Sequence, residues 1–351
     1  DVVTSKQLDT YLPSAASSVI ESVQLVNGVQ EVVACGVCYT NSISVNGLPG
    51  SYTAILMDGT PIYGSLASVY GLNGIPNMII DRFEVIKGPS STLYGSEAVA
   101  GVINIITKNP ENQPLISADI MTSSHEEVFG NIALAPRLGK SNAYIGVNFG
   151  YANHYADNNL DGFGDGVNSE HISIFSKLNF YRPSDKLFSL AAKYYYEDRR
   201  NGVEAYVKDR AYKTIRGNDQ IYGESIYTNR LELFGTYALD TKANLKIDYS
   251  LSNHEQDSYY GDQYFEASQQ IAFGNFLWNF NKGKHDVLVG SSLRYDAYDD
   301  NTLATENEVE GDIINAPNNQ FVPGIFVQDE FGVSENVTLL GGIRLDHHQE
   351  H

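Results

Sequence analysis

RFEVIKGPSSTLYGSEAVAGVINIITK, Arg82 to Lys108, decides how the rest of the chain is read. The β-branched and aromatic residues of RFEVIK and GVINIIT mark two strands. Between them Gly88, Gly95 and Gly101 permit tight turns and close backbone approach, and Pro89 ends the first strand. The stretch holds no histidine, no cysteine and no pair of carboxylates placed for acid–base chemistry. It does not read as an active site.

The chain has 351 residues and a net charge of −20. That balance excludes a general nucleic-acid binder, which needs a basic face to neutralise phosphates. No run of about 18 apolar residues exists, so no transmembrane helix is expected. The start, DVVTSKQLDTYLPS, has neither a charged n-region nor an apolar h-region, so no signal peptide is expected there. Cys35 and Cys38 do not make a disulfide framework.

Two regions follow different patterns. Residues 1–112 mix short helical pieces (SKQLDTYL, SAASSVIESV) with short strands and Gly/Pro/Asn turns, which predicts a compact α+β globule. The Asn/Pro-rich stretch TKNPENQP marks the boundary. From 113 to 351 long segments alternate apolar and polar residues. In NAYIGVNFGYA, Ile145, Val147, Phe149 and Tyr151 share one face. In LKIDYSLSN, Leu245, Ile247, Tyr249 and Leu251 do the same. A period of two marks strands with one apolar and one polar face.

Short turns (RLGKSN, RPSDK, LDTKAN, NKGK, VSEN) interleave with long polar links at 156–169, 200–224 and 300–321. About 11 strands of roughly 10–15 residues, with short turns at one end and long loops at the other, predict an antiparallel outer-membrane β-barrel. Aromatic strand ends (KYYYED, DSYY, YDAYDD) fit interfacial girdles. A soluble β-sandwich is the alternative, but its strands usually run to about 5–6 residues. Twelve strands would enclose a radius of about 12 Å, too narrow for a globule whose radius of gyration is near 13 Å. About 22 strands give a radius near 22 Å, which holds it. The expectation is therefore about 22 strands in the full protein, with 113–351 as the N-terminal part of a C-terminally incomplete barrel.

The quoted stretch resembles the end of the plug domain of TonB-dependent outer-membrane receptors, with that family's VIxGP…LYGS…AxxGVINIIT pattern nearly intact. YTAILMDGTPIYG resembles the preceding VLIDGxP element, and DVVTSKQLDT the plug's first strand and helix. The resemblance implies a plug inside a barrel in the outer membrane of a Gram-negative cell. It also implies a receptor that is not an enzyme and that contacts outer-membrane lipid. A periplasmic TonB-type energy-coupling partner would drive uptake, although its contact box is not evident here. Family plugs are locked by charges facing barrel carboxylates, which nominates Arg82, Glu84 and Lys87. Asn46, in SVNG, departs from the usual Arg.

The resemblance puts ACGVCYTNSISVNG at the plug apex, facing the ligand cavity, and nominates Cys35, Cys38, Tyr39, Tyr63 and Tyr70. Two thiolates at C-x-x-C spacing chelate a soft or borderline ion; a local disulfide in an oxidising compartment is the rival. His125, His154, His254 and His348 fall at the outer ends of strands in the inward phase, where imidazoles suit iron or another metal, although polar loops also tolerate histidine. DNNLDGFGDGVN places Asp157, Asn159 and Asp161 at positions 1, 3 and 5, Gly162 at 6, Phe163 at 7 and Asp165 at 9. That is a calcium-loop pattern, with Asn168 where Glu is usual; no catalytic cofactor is expected. Together these residues predict uptake of a metal-containing ligand: siderophore-iron, haem, a corrinoid or a metal ion. Oligosaccharide or peptide uptake is the alternative. A passive porin and a non-transporting surface adhesin are readings from other classes.

Overall fold

The computed structural model describes residues 1–11, 22–35, 40–62, 66–67, 74–95, 97–215, 217–309 and 312–348. The quoted stretch forms β6 (Ile80–Lys87), a turn, a one-turn helix Ser91–Tyr94 and β7 (Gly101–Thr107). Gly88 and Gly95 have φ of 99° and 86°, the left-handed region that glycine enters without penalty. At Gly101 a Cβ would sit 2.4 Å from the Ile86 carbonyl oxygen, so only glycine lets β6 and β7 pair there.

β6 and β7 are the centre of a five-stranded sheet. β1 (Val2–Thr4) flanks β6, while β4 (Thr53–Met57) runs parallel to β7 and carries β5 (Thr60–Pro61) at its edge. A separate hairpin joins β2 (Val29–Cys35) to β3 (Thr40–Val45). Period-two alternation buries Phe83 and Val85 of β6 and Ile103 and Ile105 of β7 among Val3, Leu8, Ile43 and Val45. Burial of such side chains is worth about 1.5–3 kcal/mol each and drives the globule's collapse.

The remaining strands form an antiparallel meander: β8 (Ile116–Thr122), β9 (Glu127–Leu134), β10 (Arg137–Leu138), β11 (Ser141–Ala152), β12 (Asn168–Arg182), β13 (Lys186–Gly202) and β14 (Gly223–Asp240). β15 (Leu245–Tyr260), β16 (Gln263–Lys282) and β17 (His285–Asp300) follow, then a small hairpin β18 (Glu306–Val309)–β19 (Asp312–Asn315), β20 (Asn318–Ser334) and β21 (Val337–Asp346). The sheet path runs from β8 to β21 through eleven strands, with β10 as a two-residue bridge on β11 and the β18–β19 hairpin apart. The strands are longer than expected, up to the 20 residues of β16. A bilayer needs only about 9–11, so the excess projects beyond the membrane. The long connections lie at 153–167, 203–222 and 301–317.

The two sheet faces differ as the alternation requires. Leu231, Leu251, Leu293, Ile325 and Ile343 point outward and are 47–67% exposed, an apolar band suited to lipid. The opposite face carries Lys193, Arg230, His254 and Gln256, all buried, and the globule sits against it. No described helix is long and apolar enough to cross a membrane.

Candidate functional site at the plug–wall interface

Met57-Asp58-Gly59-Thr60 turns β4 into β5 with φ of 51° at Asp58 and 80° at Gly59, the tight Asp-Gly hairpin geometry. The turn aims the Asp58 carboxylate at the wall. Its oxygens accept from Thr107 N at 2.9 Å and Thr107 Oγ1 at 2.7 Å. Lys177 Nζ on β12 closes the cluster, 2.9 Å from Asp58 Oδ2 and 2.8 Å from Thr107 Oγ1. Both charged side chains are largely shielded from water, so the pair is worth more than an exposed one.

A second contact comes from the quoted stretch itself. Glu97 Oε1 lies 2.8 Å from Arg294 of β17, and Arg344 of β21 donates to the Leu93 carbonyl at 3.3 Å while holding Asp346 and Ser292. At Gly342 a Cβ would meet the Thr92 side chain at 2.6 Å, so glycine there admits the helix. Four further contacts involve no charged group. Tyr144 donates to the Met78 carbonyl and Ser173 to the Gly74 carbonyl, each at 3.0 Å. A Cβ on Gly74 would come within 2.4 Å of the Tyr195 ring. Phe175 and Phe234 of the wall join the globule's apolar core.

The nominated lock charges stay within the globule among the described residues, which corrects the expectation. Arg82 pairs with Asp81 at 3.0 Å and with Glu84 at 2.9 Å, and Lys87 pairs with Asp1 at 2.7 Å. Arg82 and Glu84 share one face of β6, which lets them pair within the strand. Partial burial opposes the Arg82 charge, but hydrogen bonds and charge from Glu84 and Asp81 hold its pKa above the ordinary value. The described ion pairs between globule and wall have the reverse polarity: carboxylates on the globule, cations on the wall. The Asp-Gly turn in MDGT was the available signal for Asp58.

The inner wall also carries a polar network that alternation alone did not reveal. Lys193 Nζ lies 2.5 Å from Glu232, and Arg230 lies 2.9 Å from it. Arg230 also donates to His254 Nδ1 at 3.2 Å, and His254 Nε2 is 3.3 Å from Gln256 Oε1. A guanidinium can only donate, so Nδ1 accepts and the proton sits on Nε2. His254 is thus a buried member of the wall and not a rim ligand. β15 runs on to Tyr260, leaving His254 well below the strand's end.

The other nominated residues scatter. His125 and His154 come together at the loop end, ring centroids 5.6 Å apart and edge-on. His348 is exposed, just past β21. In the 153–167 connection Asp157 accepts from Asp161 N and Gly162 N at 3.1 and 2.9 Å. Asn159 Oδ1 accepts from Asp161 N at 3.0 Å, Asp161 from Phe163 N at 2.8 Å, and Asp165 from Asn158 N at 2.6 Å. The loop closes on its own N–H groups. Among the described residues no group of three or more His, Cys, Asp or Glu converges as a metal site. Cys35 ends β2 but its side chain is not described, and Cys38, Tyr39, Tyr63 and Tyr70 lie outside the described residues.

One loop feature was missed in the sequence. RRNGVEAYVKDRAYKTIR, 199–216, holds six of the chain's 23 Lys and Arg. Here Tyr206, Val207 and Tyr212 make a small core, with the Arg200 guanidinium 4.5 Å over the Tyr212 ring. Burial pushes the Tyr212 phenol pKa up, against the lowering effect of Arg200. Lys208, Arg210 and Lys213 are exposed on this core.

Residues 1–102 match the model of the TonB-dependent receptor plug domain. An iron-regulated outer membrane virulence protein of Vibrio cholerae is 26% identical over 88% of this chain and 46% of its own length. A vitamin B12 transporter, BtuB, of Vibrio vulnificus is 39% identical over 28% of this chain and 16% of its own. Among solved structures, the ferric enterobactin receptor PfeA of Pseudomonas aeruginosa superimposes with a TM-score of 0.71 at 16% identity, over 99% of this chain and 58% of that one. The ferric-catecholate import receptor Fiu of E. coli gives 0.68 at 18% identity, over 99% and 59%. The fold is thus that of an outer-membrane β-barrel receptor with a plug. Residues 1–102 match the plug domain of TonB-dependent receptors, and the whole chain shares the fold of such receptors. It spans about half the length of the curated relatives matched over most of this chain.

Proposed function

We propose that this receptor carries a metal-containing ligand across the outer membrane, driven by a TonB-type periplasmic partner. One observation supports this above the rest: the plug rests on a polar inner wall through a few separable contacts, chiefly Asp58–Lys177 and Glu97–Arg294. Such contacts hold the channel shut yet yield to a pull on the plug, because each is worth only a few kcal/mol. Displacing the plug would bare the hydrogen-bonding wall along which a polar ligand can pass. No bond in the ligand need be made or broken. Two of the relatives, an iron-regulated outer membrane protein and a vitamin B12 transporter, favour metal-bearing cargo.

The cation-rich loop core refines the reading. In a chain of net charge −20, exposed Arg210 and Lys213 at the mouth would attract an anionic chelate, while Lys208 is paired with Glu204 at 2.8 Å. Growth of a deletion strain on defined iron-chelate, haem, cobalamin, copper and zinc sources tests the proposal. Loss of growth on one metal source, restored by the gene, is expected. Normal growth on all of them, with a defect on an oligosaccharide or peptide, would reverse it.

A further inference from the structure

The outer face of the wall carries a second candidate site, unconnected with the lumen. Along β15 and β16 the register is unbroken, so every residue's face is fixed by its partner. Leu251, paired with Ala272, is on the outward apolar band. Glu255, Asp257 and Tyr259, paired with Ser268, Glu266 and Tyr264, share that face further up. From Leu245, at the lower end of β15, to Tyr259 the strand climbs about 46 Å at ~3.3 Å per residue, or about 35 Å of height at a tilt near 40°. An apolar band is about 25 Å tall, so these residues stand above the hydrocarbon, at the level of the outer leaflet's headgroups.

Two features occur together at that height. Tyr259 and Tyr264 stack with centroids 4.8 Å apart at 26°, and Tyr227 meets Tyr259 edge-on at 6.4 Å. The Tyr264 hydroxyl is held between Asp257 Oδ1 at 3.0 Å and Glu266 Oε2 at 2.9 Å, and its ring remains 41% exposed. Joined to the stack through Asp257 and Glu266, which hold the Tyr264 hydroxyl, is a cavity of about 500 Å³ lined by these two and by Glu255, Asp299, Glu306 and Asn315, among others. The β18–β19 hairpin roofs it, pinned by Asn315 Nδ2 to Asp299 Oδ2 at 3.1 Å.

We propose that this cavity docks the saccharide of the outer-leaflet glycolipid, taking its neutral or amino-bearing sugars. A tyrosine ring offers an apolar face for the C–H side of a sugar and a polar edge. Carboxylates and an amide accept from sugar hydroxyls and attract an ammonium substituent. The volume falls in the range of small-ligand pockets. The same carboxylates repel phosphate, so the phosphorylated part of the glycolipid is excluded from the cavity. Continuity with the lipid-facing band makes the membrane's own glycolipid, rather than a soluble sugar, the occupant.

Dephosphorylated core oligosaccharide from lipopolysaccharide is titrated calorimetrically into the purified receptor. Saturable binding is expected, weakened at least tenfold by Tyr264→Ala and by Asp257→Asn with Glu266→Gln. Tyr264→Phe, which keeps the ring, should stay within about threefold of wild type. Resistance of the unheated barrel to dodecyl sulfate reports folding, and if Tyr264→Ala fails it the carboxylate variant decides. In nanodiscs, hydrogen exchange across 255–268 should slow when lipopolysaccharide joins the phospholipid. Absent binding, an unchanged affinity in folded variants, or unchanged exchange would overturn the proposal. So would slowed exchange in the lipopolysaccharide nanodiscs that a divalent-ion chelator abolishes, which would mean an ion-bridged phosphate.

Discussion

Lys177 Nζ stands 2.9 Å from Asp58 Oδ2 and 2.8 Å from Thr107 Oγ1, so a single wall cation ties the ends of two plug strands together. Lys177→Met should leave the shielded Asp58 carboxylate with only its Thr107 partners, at a cost of about 2 kcal/mol. The expected readout is faster amide exchange at Asp58–Pro61 and Thr107, with the wall strands unaffected. Unchanged exchange there would show that the plug is seated without this pair.

Glu97 and Arg294 allow a charge-swap test. Glu97→Arg or Arg294→Glu alone puts like charges where a 2.8 Å ion pair stood, and uptake should fall several-fold. The double exchange should recover much of it, with a coupling of about 0.5–3 kcal/mol. Additive losses would remove this contact from the seating of the plug.

Gly74 packs where a side chain has no room, its ideal Cβ falling 2.4 Å from Tyr195 Cγ. Gly74→Ala should therefore loosen the plug by about 1–3 kcal/mol, read as a lower denaturant midpoint for plug release. Tyr195→Ser in the same chain should restore part of that loss. A midpoint equal to wild type in the single variant would mean the loop shifts freely.

Calcium at the 153–167 loop is proposed through Asp157, Asn159, Asp161 and Asp165 with the Phe163 carbonyl. Binding must exchange the N–H partners of these side chains for the ion, so calcium should slow proteolysis of the loop and Asp161→Ala should abolish the difference. Equal cleavage with calcium and with chelator would leave a loop held by its own backbone.

The Cys35 and Cys38 proposal is tested by changing both to Ser. Contact with a metal chelate predicts weaker ligand binding at normal surface expression. A purely local disulfide closes so short a loop that its loss should be modest, and binding would survive.

The alternation in NAYIGVNFGYA and LKIDYSLSN made the wall legible, because one slip would exchange lipid and lumen faces throughout a strand. The glycines of the quoted stretch were equally readable, since each answers a local backbone demand. Partnerships were not. Whether Arg82 faces a wall carboxylate or its own neighbour Glu84 depends on where two separate units meet in space. His254 shows a second limit: phase placed it inward correctly, but the extra length of β15 buried it below the rim. The hairpin at 306–315 looked like polar linker because its two strands are only four residues each.

The meander has one more consequence. From β8 to β21 every wall strand on the path pairs with its neighbour along the path, and almost all of these neighbours are consecutive in the chain. Closure of each hairpin therefore spans only the turn or loop between successive strands, and its entropic cost grows slowly with loop length even at the long connections. The long-range contacts are those that join the wall to the plug, from Lys177 with Asp58 to Arg344 with Leu93. Wall residues meet plug residues out of sequence order, Tyr144 with Met78, Lys177 with Asp58, Arg294 with Glu97 and Arg344 with Leu93, so the strands can add one by one only around a plug already folded. A plug variant that seats poorly should then delay insertion as well as leak: the same contacts that restrain transport would act as the template for biogenesis.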